Sequence, residues 1–238
     1  YPSTVLMTTV AARVAGVKEI VLCTPPPVNP LTLVALDIAG VTEAYQIGGA
    51  QAVAAMALGT ETIRPVQKIV GPGNVFVTQA KMMLREHAEI DFPAGPSEVG
   101  IVADAGANPV FVAAEILAQA EHDPNSACVL VTDSAELAEA VGREIDAQSA
   151  DAPRAEIMEK SLSHSGYIVT ETLDEALAVI DDIAPEHLCI MTADPLTALS
   201  AIHNAGSIFV GPYTPVACGD YASGTNHVLP TAGYAKSY

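Results

Sequence analysis

Short apolar runs rich in β-branched residues alternate along this chain with longer stretches whose apolar positions recur at three- and four-residue spacing. The short runs EIVLCT, KIVGPG, EVGIVAD, ACVLVT, GYIVT, LCIMT and SIFVG are bounded by Gly, Pro or Thr, as strands are. They show little in/out alternation, which predicts strands covered on both faces. The longer stretches STVLMTTVAARVAG, NPLTLVALDIAG, AQAVAAMALG, NVFVTQAKMMLREH, NPVFVAAEILAQAEH, SAELAEAVGREIDAQ, TLDEALAVIDDI and DPLTALSAIHNAG predict helices. Strand and helix in alternation predict an α/β protein with mostly parallel sheets. Asn29-Pro30, Asn108-Pro109 and Asp194-Pro195 have the form of an N-cap followed by proline at the first helical position. Gly40 and Gly206 are expected C-terminal stops. DFPAGPSEVG, residues 91–100, packs two prolines and two glycines between a helix and a strand. It predicts either a crossing between domains near residue 96 or a long loop within one sheet.

Composition sharpens this picture. Half of the 238 residues are hydrophobic, 16% are charged and 5% aromatic, enough for one large or two small domains with their own cores. Asp and Glu number 28 against 10 Lys and Arg, a net charge of -18. That excludes a nucleic-acid or anionic-membrane surface and suits a small cationic substrate. Cys23, Cys128, Cys189 and Cys218 are far apart, without a C-x-x-C pair, as in a protein of the reducing cytoplasm. No run reaches the roughly 18 apolar residues that span a bilayer. The opening YPSTVLM has neither an initiator Met nor a signal peptide, as expected of a fragment of a longer protein.

Several stretches could carry chemistry. IGGAQA (47–52), GPGN (71–74) and PAGPS (93–97) are glycine-containing segments where strands are expected to hand over to helices. Such places border the ligand crevice of a parallel sheet, although none matches G-x-G-x-x-G, and each also reads as a plain tight turn. In QAEHDP, Gln119 and His122 would share a face at a helix end, giving a metal half-site or a His that meets terminal carbonyls. APEHL places Glu186 and His187 in a turn before a strand, as a proton-transfer pair or as solvated polar residues. Residues 211–231 show no evident helix or strand and read as an active-site loop. It contributes Asp220, a hard anionic ligand or an Asx-turn residue, and His227, a second imidazole. His87, His164 and His203 are expected at the surface or in packing.

Taken in order, GGAQAVAA, GPGNVFVTQAK, DFPAGPSEV, QAEHDP, APEHL and GDYASGTNHVLPTAGYA resemble the histidinol dehydrogenase family throughout the chain. The resemblance implies two Rossmann-like domains, 1–96 binding NAD and 97–238, incomplete here, carrying zinc and the reacting groups. It implies oxidation of L-histidinol through L-histidinal to L-histidine with two NAD, the last steps of histidine biosynthesis, by a cytoplasmic homodimer. Residue by residue, it assigns Gln119, His122 and Asp220 to Zn²⁺, and the same three with Ser97 and His187 to the substrate. His187 would take the alcohol proton, Glu186 would activate the water that attacks the aldehyde, and Gln51 and Asn74 would contact NAD. Family members extend further at both ends, so a fourth zinc ligand, a histidine beyond Tyr238, and a tyrosine contact to NAD upstream of Tyr1 lie outside this stretch. The competing readings are a paralogous zinc- and NAD-dependent dehydrogenase of another small alcohol or diol, and an inactive metal-binding fragment.

Overall fold

The structure, a computed structural model, describes residues 2–237. The chain divides into two compact units, Tyr1–Gly95 with Asn226–Val228, and Pro96–Thr225 with Leu229–Tyr238. The division falls within DFPAGPSEVG.

The first unit runs α1 (Pro2–Val14), β1 (Val21–Cys23), α2 (Pro30–Ala39), β2 (Glu43–Tyr45), α3 (Gly49–Leu58), β3 (Lys68–Ile69), α4 (Val75–Met83) and β4 (Glu89–Ile90). One mostly parallel sheet is expected here, and the structure instead has two parallel pairs, β1 with β2 and β3 with β4. Each pair has its own small core. Val5, Ala35 and Leu36 pack with Leu22 around the first, and Val53, Ala57, Ile69 and Ala88 around the second. Two residues per strand in the second pair make too short a ladder to organise a single sheet. The helix starts are local. Asn29 Oδ1 accepts from Leu31 N at 2.9 Å ahead of Pro30, and Gly40 closes α2 at φ 64°.

The second unit runs β5 (Glu98–Ala103), α5 (Pro109–Ala120), β6 (Ala127–Thr132), α6 (Ala135–Ser149), α7 (Ala155–Leu162), β7 (Gly166–Val169), α8 (Leu173–Ile183), β8 (His187–Met191), α9 (Pro195–Leu199), β9 (Ser207–Val210) and α10 (Val216–Tyr221). Its five strands are all parallel, in the order β7-β6-β5-β8-β9. The chain therefore starts in the middle, winds outward to one edge, and returns to wind to the other, the doubly wound pattern of Rossmann-like folds. The pleat of β5 separates two cores. Val99, Ile101 and Ala103 face α5, α6 and α7, while Val102 faces α8 and α9.

Three expectations are corrected. Residues 211–231 are not devoid of regular structure, because Val216–Tyr221 forms α10. α9 ends at Leu199, so Gly206 stops no helix. There Asp181 Oδ1 accepts from His203 N at 2.6 Å and Asn204 N at 2.8 Å, which holds the chain in a non-helical path. PAGPS leads into the amino end of β5, with no helix after it. Among the described residues, no helix is long and apolar enough to cross a membrane.

Candidate active site

The site in the second unit is built around the entrance to β8. Ala184 closes α8 in the left-handed region at φ 53° and turns the chain into Pro185 and Glu186. The turn can lie on β5 because Gly100 has no side chain. A Cβ there would stand 2.7 Å from Ile180 Cδ1 and 2.8 Å from Pro185 Cγ. Gly206 does the same from the other side, where a Cβ would meet the Glu186 carbonyl oxygen at 2.6 Å. In that close approach Gly206 N donates to Pro185 O at 3.0 Å and Ser207 N to Glu186 O at 2.8 Å.

Glu186 and His187 are buried, at 5% and 8% exposure, which rules out solvated turn residues. His187 also begins a strand instead of completing a turn. Neighbours on a strand ordinarily point to opposite faces. Here Glu186 precedes the ladder, and its Oε2 lies 3.6 Å from His187 Nδ1.

The main chain of Glu98 orients both groups. Its N–H donates to Glu186 Oε2 at 3.0 Å, and its carbonyl accepts from His187 Nδ1 at 3.2 Å. With Nδ1 engaged as the donor, Nε2 is the basic ring nitrogen. The His187 ring is 6.1 Å, centroid to centroid, from that of Phe209.

Burial pushes the Glu186 carboxyl up to about 8, with the charges of Glu98 and Asp220 acting in the same direction. The Glu98 N–H and the Ser97 side chain, both hydrogen-bonded to it, act against the rise. Burial also raises the Glu98 carboxyl, which accepts from Ala232 N. The structure thus gathers Ser97, Glu186, His187 and Asp220. It adds Glu98, whose one sequence signal is a carboxylate opening an otherwise apolar strand.

The gathering lies at the amino ends of the strands, since Glu98 and His187 are the first residues of β5 and β8. A doubly wound sheet ordinarily binds ligands at its carboxyl ends.

Gln119 and His122 sit where α5 ends. Gln119 is 3% exposed, and its Nε2 is among the buried side-chain atoms with no hydrogen-bond partner. His122 is exposed and lies past the helix, its N–H donating to Gln119 O at 3.2 Å. Asp220 is on α10. Among the described residues, no three His, Cys, Asp or Glu stand together as a metal cluster. The assigned set holds one His and one Asp, with an amide as its third member. His227 joins the first unit, where its Nε2 is 3.2 Å from Thr4 Oγ1. His87, His164 and His203 are exposed.

Gln51 and Asn74 belong to the first unit, each near the start of a helix that follows a glycine-containing turn. Gln51 lies in the first turn of α3. Asn74 caps α4, its Oδ1 accepting from Phe76 N and Val77 N, each at 3.1 Å.

Comparison with known proteins bears on the whole chain. A sequence profile described as histidinol dehydrogenase matches residues 1–238. Histidinol dehydrogenase of Methanosarcina barkeri is 57% identical over 242 residues, which cover 100% of this chain and 56% of the relative. That of Methanothermobacter thermautotrophicus is 58% identical over 243 residues, covering 100% and 57%. The chain therefore spans about half the length of the curated relatives it matches. Among solved structures, histidinol dehydrogenase from Elizabethkingia anophelis superposes with a TM-score of 0.95 at 42% identity, over 100% of this chain and 56% of the other. A propionaldehyde dehydrogenase variant from Clostridium phytofermentans, at 13% identity and a TM-score of 0.57 over 99% and 68%, shares the fold alone.

Proposed function

The chain belongs to the histidinol dehydrogenase family, and from that premise we propose that its full-length protein oxidises L-histidinol through L-histidinal to L-histidine. The buried, backbone-oriented pair of Glu186 and His187 carries this reading. Alcohol oxidation needs a base at the hydroxyl, and oxidation of the aldehyde needs a second base for the added water. His187 Nε2 takes the hydroxyl proton, because Nδ1 is held as a donor to the Glu98 carbonyl. Glu186, once ionised, is a stronger base than an exposed carboxylate, because burial raises its carboxyl. It takes a proton from the water whose oxygen adds to the aldehyde carbon. Ser97, just before β5, hydrogen-bonds the Glu186 carboxyl and would contact the substrate from there.

The orphaned, buried amide of Gln119 fits a ligand position, and Gln119, His122 and Asp220 would hold a zinc ion. A half-turn of that amide exchanges its oxygen and nitrogen. The same three side chains, with His187, border the substrate. Gln51 and Asn74 would hold NAD in the first unit; with Oδ1 used by the cap, the Asn74 contact falls to Nδ2. When bound, zinc would template the substrate's nitrogen and oxygen atoms, and NAD would accept the hydride. The reaction belongs in the cytoplasm, in a homodimer.

The test is NADH formation from L-histidinol by the full-length protein, before and after treatment with a chelator. Absence of NADH with L-histidinol, or turnover indifferent to chelation, would remove respectively the substrate or the metal from this reading.

A further inference from the structure

Glu115 lies on α5, one helical turn before Gln119, so the two side chains leave the same face of that helix. It is a buried carboxylate, and the proposed chemistry makes no use of it. Its Oε2 accepts from Val216 N at 3.0 Å, and the Cys189 thiol approaches the same oxygen at 4.0 Å. Val216 is the first residue of α10, the helix that carries Asp220. The residue before it, Pro215, provides no side-chain cap, so Glu115 caps α10 from another helix 101 positions away in sequence.

Val216 packs in the apolar core that α5 also lines, which is contact without direction. Six residues including a glycine make a weak helix by themselves. Gly219 lies flat on Phe209, where a Cβ would meet the ring at 3.0 Å, and Thr225 Oγ1 donates to Gly219 O at 3.2 Å. Those contacts set the distance of α10 from β9. Beside that packing, the bond to Glu115 gives its start a directional tie to α5.

A buried carboxylate loses hydration and is retained only where its partner is worth the loss. Here the partner is a backbone N–H that would otherwise be orphaned at a buried helix start.

We propose that Glu115 is a positioning residue for the zinc ligands, setting Asp220 on α10 against Gln119 on α5 and His122 just past its end through the Val216 N–H. This rests on the assignment of those three residues to zinc. Groups that orient metal ligands typically change metal affinity by about 10- to 100-fold when removed. Glutamine keeps an acceptor oxygen at this position, whereas leucine keeps the volume and loses the acceptor.

The experiment measures zinc affinity of the metal-free full-length protein by competition with a chromogenic chelator, alongside its melting temperature. Glu115→Leu should weaken zinc binding by about 10- to 100-fold, and Glu115→Gln should remain within about threefold of the parent. Val216→Pro deletes the same hydrogen bond from the donor side. Proline is suited to a first helical position, and Pro215 already has the extended backbone, φ -71° and ψ 154°, that a following proline requires. Val216→Pro should therefore weaken zinc as Glu115→Leu does, and it carries the test if Glu115→Leu fails to fold. Unchanged affinity in Val216→Pro and Glu115→Leu, with binding lost in Asp220→Ala, would overturn the positioning role and leave the ligand assignment intact. Unchanged affinity in Asp220→Ala and Gln119→Ala would overturn the ligand assignment, and the proposal with it. A merely structural Glu115 would lower the melting temperature without separating the Gln and Leu variants in zinc affinity.

Discussion

Glu98 holds Glu186 by its main chain, N–H to Oε2 at 3.0 Å, while its own carboxylate adds a second negative charge beside the one it orients. The same residue thus supplies a hydrogen bond that favours the ionised form of Glu186 and a charge that disfavours it. Burial outweighs the hydrogen bonds, and the Glu186 carboxyl rises to about 8.

The two candidate proton-transfer groups should separate in single-turnover kinetics of the full-length protein. Glu186→Gln is expected to slow conversion of L-histidinal by about 10²- to 10⁴-fold and to affect the first hydride transfer from L-histidinol much less. His187→Asn should slow both steps. Equal slowing of both by the Glu186 change would sink the division of labour.

Raising the Glu186 carboxyl from 4.5 to about 8 also makes stability depend on pH. Between those values the unfolded chain has released the proton that the folded chain retains. Stability therefore falls as pH rises through this window, and levels off above it. A tenfold difference in proton affinity between folded and unfolded chain corresponds to about 1.4 kcal/mol, so the whole decline is on the order of a few kcal/mol. Urea denaturation of the metal-free protein from pH 5 to 9 should show a decline that Glu186→Gln flattens. Parallel profiles would show that Glu186 ionises freely in the folded protein.

Gly206→Ala should destabilise by about 1–3 kcal/mol, because the added methyl meets main chain and cannot be relieved by a rotamer change. Since the atom it meets is the Glu186 carbonyl oxygen, turnover should fall as well. An alanine variant with the parent's melting temperature and rate would contradict the close approach.

Asn74 serves α4 as a cap and is proposed to serve NAD through its other amide atom. Asn74→Asp retains a good cap but removes the Nδ2 donor, so it should raise KM for NAD at nearly unchanged stability. Asn74→Ala should in addition lose about 1 kcal/mol of stability. If KM for NAD is the same in the parent and the Asp variant, Asn74 is only a cap.

Lys81 and Asp91 form a buried ion pair around the GPGN turn. Lys81 Nζ donates to Gly71 O at 3.0 Å, and Asp91 Oδ2 accepts from Gly71 N at 2.7 Å. Lys81→Met strands the Asp91 charge and should cost about 3–5 kcal/mol, partly recovered in the double variant Lys81→Met/Asp91→Leu. Equilibrium unfolding of the parent, Lys81→Met, Asp91→Leu and the double variant checks this, and strictly additive losses would refute the pairing.

Features that arise within a few residues were legible from the chain alone. Asn29, Asn108 and Asp194 cap helices that begin with proline, and the apolar runs become parallel strands, although only the central β5 and β8 are covered on both faces nearly throughout while the edge strand β7 is exposed. Glu186 and His187 were legible as a candidate pair, but Glu86-His87 and Glu121-His122 have the same adjacency, and burial is what sets the first pair apart.

Contacts between distant residues decided the rest. The start of α10 is held by Glu115, and its glycine lies on Phe209, so neither its existence nor the place of Asp220 could be read from PVACGDY. Gly206 looks like a helix stop until the Glu186 carbonyl is beside it. The first unit's strands pair as two short ladders, and the second unit's gathered residues lie at the amino ends of β5 and β8. Capping and periodicity act over one or two turns, so sequence alone determines them. Strand order, burial and the approach of one backbone to another depend on which distant segments exclude water together, and that only the tertiary structure decides.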